Sequence, residues 1–139
     1  MKVDPVICRE IHCSYAGVAF HLSLTSNLTM ILGESGNGKT FLYKALRNYK
    51  VMDDTLLLFD FTDIHRVSDE LKKAVHRFII VDNADIMLDD DMRNFIAFDY
   101  QNQYLLIGRD PRGLMVSADN LKSVHFDKNS RMMELVDAV

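Results

Sequence analysis

The 139-residue chain has no tryptophan, no low-complexity tract and no excess of basic residues. Sixteen Lys and Arg stand against twenty Asp and Glu, a net charge of −4, which gives no strong nucleic-acid signal. Two cysteines, Cys8 and Cys13, are too few for a disulfide framework or a four-ligand zinc site. No apolar run reaches the roughly 18–20 residues that span a bilayer, and Met1 to Pro5 lacks a secretory apolar core. These absences predict a reduced, cytoplasmic protein with no membrane span. What is present is ordinary globular usage, 48% hydrophobic and 26% charged residues, in a length that suits one domain over 1–139.

The apolar pattern then sets the element order. Val18, Phe20, Leu22 and Leu24 recur at every second position, with Ala19, His21 and Ser23 between them. With Ile7 and Ile11 upstream and a turn at Tyr15-Ala16-Gly17, this predicts an antiparallel hairpin over 6–24. Leu28 to Leu32, Thr55 to Phe61, Phe78 to Val81 and Tyr104 to Ile107 are continuous apolar runs of the buried, parallel kind. Between them, helical spacing predicts helices from Lys39 to about Tyr49, from Val67 to His76 with Ser68 as cap, and from Asp89 to about Tyr100. After Ile107 the signals weaken to a strand near 124–126 and a short element around 132–136. Strands alternating with helices predict a three-layer α/β fold with a mainly parallel sheet and an N-terminal antiparallel hairpin.

One segment carries specific chemistry. Gly33-Glu34-Ser35-Gly36-Asn37-Gly38-Lys39-Thr40 satisfies G-x-x-x-x-G-K-[ST] at every fixed position, between an apolar strand and an amphipathic helix. Glycines let main-chain N–H groups close around phosphate oxygens, and the helix N-terminus adds positive potential. Lys39 supplies a cation for the β- and γ-phosphates, and the Thr40 hydroxyl is suited to Mg2+. Phe78-Ile79-Ile80-Val81-Asp82 reads as a Walker B strand, whose terminal carboxylate holds the same ion.

These motifs resemble the P-loop NTPases, and within them most resemble a minimal ABC-type ATPase core. The resemblance implies sheet order 5-1-4-3-2, Mg-ATP as cofactor, and a site completed by a homodimer or a partner protein. It also implies that Tyr15, upstream of the loop, stacks on adenine; the alternative is a tyrosine of the hairpin turn covering the core edge. Phe41, just after the loop, completes the predicted cofactor-binding set. The missing Asn-Lys-x-Asp motif favours ATP over GTP.

The sequence also departs from that family. A glutamate normally follows the Walker B aspartate as general base, and here the position holds Asn83, which orients water without accepting its proton. Asp85 and Glu34 are the substitutes within reach, each with a plainer reading as a solvated loop acid. Arg109, after the Tyr104 strand, is a candidate γ-phosphate sensor or arginine finger, against a salt bridge to Asp110 as the alternative. The signature motif and helical subdomain are absent. The five histidines include no H-x-x-x-H pair, so no metal other than Mg2+ is expected. Together these features predict a minimal ATPase or ATP-dependent switch with slow or partner-dependent hydrolysis. The alternatives are a non-hydrolysing nucleotide-binding assembly module and a small-molecule kinase.

Overall fold

The computed structural model describes residues 3–33 and 38–139. Strands β1 (Glu10–Tyr15) and β2 (Val18–Ser23) form a hairpin whose turn residues, Ala16 and Gly17, both take positive φ. Strand β3 (Leu28–Ile31) leads into helix α1 (Lys39–Tyr49), and β4 (Leu56–Phe59) is followed by α2 (Val67–Lys73). Strand β5 (Phe78–Val81) runs into the single-turn helix α3 (Ala84–Met87) and then α4 (Asp90–Ala97). Strand β6 (Gln103–Ile107) precedes a closing hairpin, β7 (Leu121–Asp127) and β8 (Met132–Asp137).

All eight strands join one sheet in the order β1-β2-β8-β7-β3-β6-β5-β4. The expected mainly parallel three-layer fold with an N-terminal antiparallel hairpin is overturned, although within the sheet β7, β3, β6, β5 and β4 stand in the expected order 5-1-4-3-2. The chain forms a mixed sheet curled into a half-barrel, with only 27% helix. The reason lies in the C-terminal thirty residues, where the apolar signal is weakest. There β7 pairs antiparallel with β8, and β8 lies parallel to β2, so one hairpin stitches the other into the sheet. The sheet thus gains two interior strands, β7 and β8, for which apolar patterning gives only weak signals.

Alternation along the strands divides the core in two. On one face Ile31, Phe78, Ile80, Leu105 and Ile107 pack with Leu42, Ala45 and Leu46 of α1. Phe20, Leu22 and Met133 from the hairpins close around the same helix, so the curled sheet wraps α1. On the other face Met30, Ile79, Val81 and Leu106 pack with Leu71 of α2, Met87 of α3 and Ile96 of α4. Each fully buried aliphatic or aromatic side chain of this kind contributes about 1.5–3 kcal/mol of transfer free energy.

Several boundaries move. Helix α2 ends at Lys73, Val75 is exposed rather than inward-facing, and no side chain caps the helix, so Ser68 is not its cap. Asp89 does cap α4, its carboxylate accepting the Met92 N–H at 2.9 Å. No helix among the described residues is long and apolar enough to cross a membrane.

Candidate functional site

Strands β3, β5 and β6 lie side by side, with β6 between the other two, and all run parallel. Their C-terminal ends therefore meet at one rim of the sheet. Lys39, Thr40, Asp82, Asn83, Asp85, Ile86, Ile107, Gly108 and Arg109 line a pocket of about 160 Å3 there. Residues far apart in the chain thus share one cavity, among them the catalytic candidates Lys39, Asn83, Asp85 and Arg109 and the metal candidates Thr40 and Asp82. Of the phosphate-loop segment, Glu34, Ser35, Gly36 and Asn37 lie outside the described residues.

The helix side of the pocket is suited to an anion. Gly38 sits at the N-cap of α1 with φ 86°, a left-handed conformation that glycine adopts without steric penalty. Among the described residues no side chain caps α1 and no acid occupies its first turn, whereas α4 has Asp89, Asp90 and Asp91 in those places. The positive end of α1 thus carries no anionic partner among the described residues. The Lys39 ammonium donates to the Gly33 carbonyl across the loop. Thr40 is exposed at the pocket wall.

Asp82 stands at the end of β5. Partial burial pushes its carboxyl above the ordinary value, Asp60 at the end of β4 adds to the rise, and Lys39 opposes it. The carboxylate accepts the Asn83 N–H at 3.0 Å. Asn83 has φ 53° and ψ 48°, a left-handed conformation that asparagine tolerates better than most residues, and it starts the tight turn into α3. The donors fit Mg2+: a hydroxyl at Thr40 and a carboxylate at Asp82, hard oxygens beside an anion-seeking helix end.

Asp85 has a different part from the one considered for it. Its carboxylate accepts the main-chain N–H of Arg109 at 2.9 Å and of Asp110 at 3.0 Å. It also lies 3.6 Å from the guanidinium of Arg93. An acceptor so engaged holds the loop after β6 in place and is poorly disposed to take a proton from water. Arg109 projects at the pocket wall, and its side chain makes no hydrogen bond or ion pair with the described residues. Asp110 pairs instead with Arg112.

A second cavity adjoins the loop. Leu32, Gly33 and Gly38 meet Val18, Phe41, Val124, Phe126 and Met133 along a mostly apolar trough of about 530 Å3. Phe41 lies in its wall. Tyr15 is not one of the lining residues and packs against Phe41, with ring centroids 5.4 Å apart. The β7–β8 side of this trough was not foreseen from the sequence, because it depends on pairing in the weakly patterned C-terminal segment.

Arg93 was missed for another reason. It reads as a surface residue of an acidic helix, yet it is completely buried. Its guanidinium donates to the carbonyls of Leu88, Asp110 and Arg112. It thus ties α4 to the loop that carries Arg109. No family model matches the chain, and a search of curated proteins finds no similar sequence.

Proposed function

We propose that this protein binds a nucleoside triphosphate with Mg2+, with the polyphosphate at the rim formed by β3, β5 and β6. The observation that carries this reading is the shared pocket of Lys39, Thr40, Asp82, Asn83 and Arg109, set at a helix N-terminus that no described side chain caps. The motif resemblance to ABC-type P-loop ATPases supports it. Lys39 and the first-turn N–H groups of α1 bind phosphate oxygens, while Thr40 and Asp82 hold the ion. Mg2+, when bound, supplies charge neutralisation between the β- and γ-phosphates. Phe41 and the apolar trough accept the base, and ATP is the preferred nucleotide.

Asn83 orients water without a basic group, and Asp85 is occupied by main-chain N–H donors. General-base help is typically worth about 10²–10⁴ in rate, so hydrolysis is slow unless a second copy or a partner protein completes the site. The same observations support a non-hydrolysing assembly module as the second reading. The setting is the cytoplasm, where nucleoside triphosphates and Mg2+ are available.

The test is a titration of the full chain with ATP and GTP, with and without Mg2+, beside Lys39→Ala. Saturable binding that Lys39→Ala weakens at least tenfold supports the site. Absence of binding at millimolar triphosphate, or equal binding by the variant, overturns it. Phosphate release measured on the same samples separates slow hydrolysis from simple binding.

A further inference from the structure

The outer face of the first hairpin carries a group of side chains that the nucleotide site does not use. In β1, Glu10 and His12 are two residues apart and so share a face. In the antiparallel register His12 stands directly opposite His21 of β2. Ile11, Phe20 and Leu22 point the other way, into the core. The fold therefore fixes two imidazoles and one carboxylate over a single patch of sheet.

Their geometry suits a metal ion. One ligand atom from each of Glu10, His12 and His21 lies within 4.8 Å of the other two. The Glu10 carboxylate oxygens are 3.5 Å from Nε2 of His12 and 3.5 Å from Nε2 of His21. A tetrahedral ion with bonds of about 2.1 Å separates its ligands by about 3.4 Å, so each imidazole already stands near that edge length from one carboxylate oxygen, His12 from Oε2 and His21 from Oε1. Nε2 of His21 is buried and makes no hydrogen bond among the described residues, the Glu10 carboxylate at 3.5 Å being its charged neighbour. Glu134 of β8 is paired in register with His21, which adds a second negative side chain next to the patch.

We propose that Glu10, His12 and His21 bind a divalent transition-metal ion, with Zn2+ the expected occupant. Two imidazoles and one carboxylate are the donor set of borderline-soft ions, whereas Mg2+ and Ca2+ prefer oxygen alone. The imidazole rings are stacked, with centroids 4.1 Å apart and planes 26° from parallel, and binding turns them about χ2 so that both lone pairs converge. His12 is exposed and His21 partly so, which leaves room for that rotation. Three protein ligands leave one coordination position for water. The ion links β1, an edge strand of the sheet, to its neighbour β2.

The experiment titrates the full chain with ZnCl2 against a chromophoric chelator, and with CoCl2 read by visible absorption. One ion per chain is expected at about micromolar free Zn2+, undisturbed by excess MgCl2. His12→Gln, His21→Gln and Glu10→Gln should each weaken binding more than about tenfold, beyond the loss typical of outer-shell partners. Lys39→Ala should bind Zn2+ as the wild type does, so failure here is distinguishable from failure of the nucleotide site. Circular dichroism of the variants confirms that the hairpin face tolerates them. If the wild type takes up no Zn2+ at about 100 μM, the proposal falls. It falls equally if all three variants retain one ion at unchanged affinity, since the ion then sits elsewhere.

Discussion

Arg93 holds its guanidinium 3.6 Å from the Asp85 carboxylate, and the two together fix the loop that follows β6. The carboxylate accepts the N–H groups of Arg109 and Asp110, while the guanidinium donates to the carbonyls of Asp110 and Arg112. Removing one partner strips the other of its compensation, which matters most for the fully buried Arg93. Arg93→Ala is expected to destabilise the fold by about 3–5 kcal/mol in urea unfolding, because it leaves carbonyls unpaired and a cavity behind. Asp85→Ala should cost less, about 1–3 kcal/mol, since its carboxylate is nearer solvent. The double variant should lose less than the sum of the two, which a double-mutant cycle measures.

Gly108 is where that same carboxylate comes closest to the sheet. A Cβ placed there would meet Oδ1 of Asp85 at 2.9 Å and Cε of Met30 at 3.2 Å. Met30 can shift, but Asp85 is held by two main-chain N–H groups and by Arg93. Gly108→Ala is therefore expected to destabilise by about 1–3 kcal/mol, as overpacking of a fixed site does. Thermal unfolding of the variant alone, and in an Asp85→Ala background, checks this: the penalty should shrink once the carboxylate is gone.

Element positions near the pocket were legible because each rests on local pattern. The apolar run Phe78 to Val81 and the amphipathic spacing after Lys39 require only their own neighbours to be read. The joining of both hairpins into one curled sheet was not legible in this way. It depends on β8 lying between β2 and β7, a pairing decided by Met133 packing beside Phe20 rather than by a local signal. The shared pocket follows from strand adjacency, and the sequence motifs already named its residues. Arg93 was invisible because a long cationic side chain in a helix is ordinarily solvated, and its burial is set by carbonyls from a distant loop. His12 and His21 were passed over because a search for ligands along the chain misses partners set by cross-strand register.

Asp82 gives a pH-dependent prediction. Burial raises its folded pKa above the ordinary 3.8, so the unfolded chain gives up this proton more readily than the folded one. The stability this group contributes is fully present below about pH 3.8 and is lost as pH rises through the folded value. In buffer free of divalent cations, Asp82→Asn should therefore melt at a higher temperature than the wild type at pH 7. The difference should diminish as the pH falls toward the ordinary carboxylate value. A variant less stable than the wild type at pH 7 would mean that the negative charge is compensated in the fold. Added Mg2+ and ATP should stabilise the wild type more than the variant, since the proposed ion ligand is gone.

Arg109 separates binding from folding most cleanly. Its main-chain N–H is held by Asp85, while its exposed side chain lines the pocket and bonds to none of the described residues. Arg109→Ala should accordingly leave the urea midpoint within about 0.5 kcal/mol of the wild type, as surface substitutions usually do. A guanidinium that reaches the terminal phosphate contributes about 1.5 kcal/mol or more, which is roughly tenfold in affinity. The loss should be larger for ATP than for ADP, because only the triphosphate carries the γ-phosphate charge. Calorimetric titration with both nucleotides reads this difference directly. Equal weakening for ATP and ADP would assign Arg109 to the inner phosphates, and no weakening for either would remove it from the site.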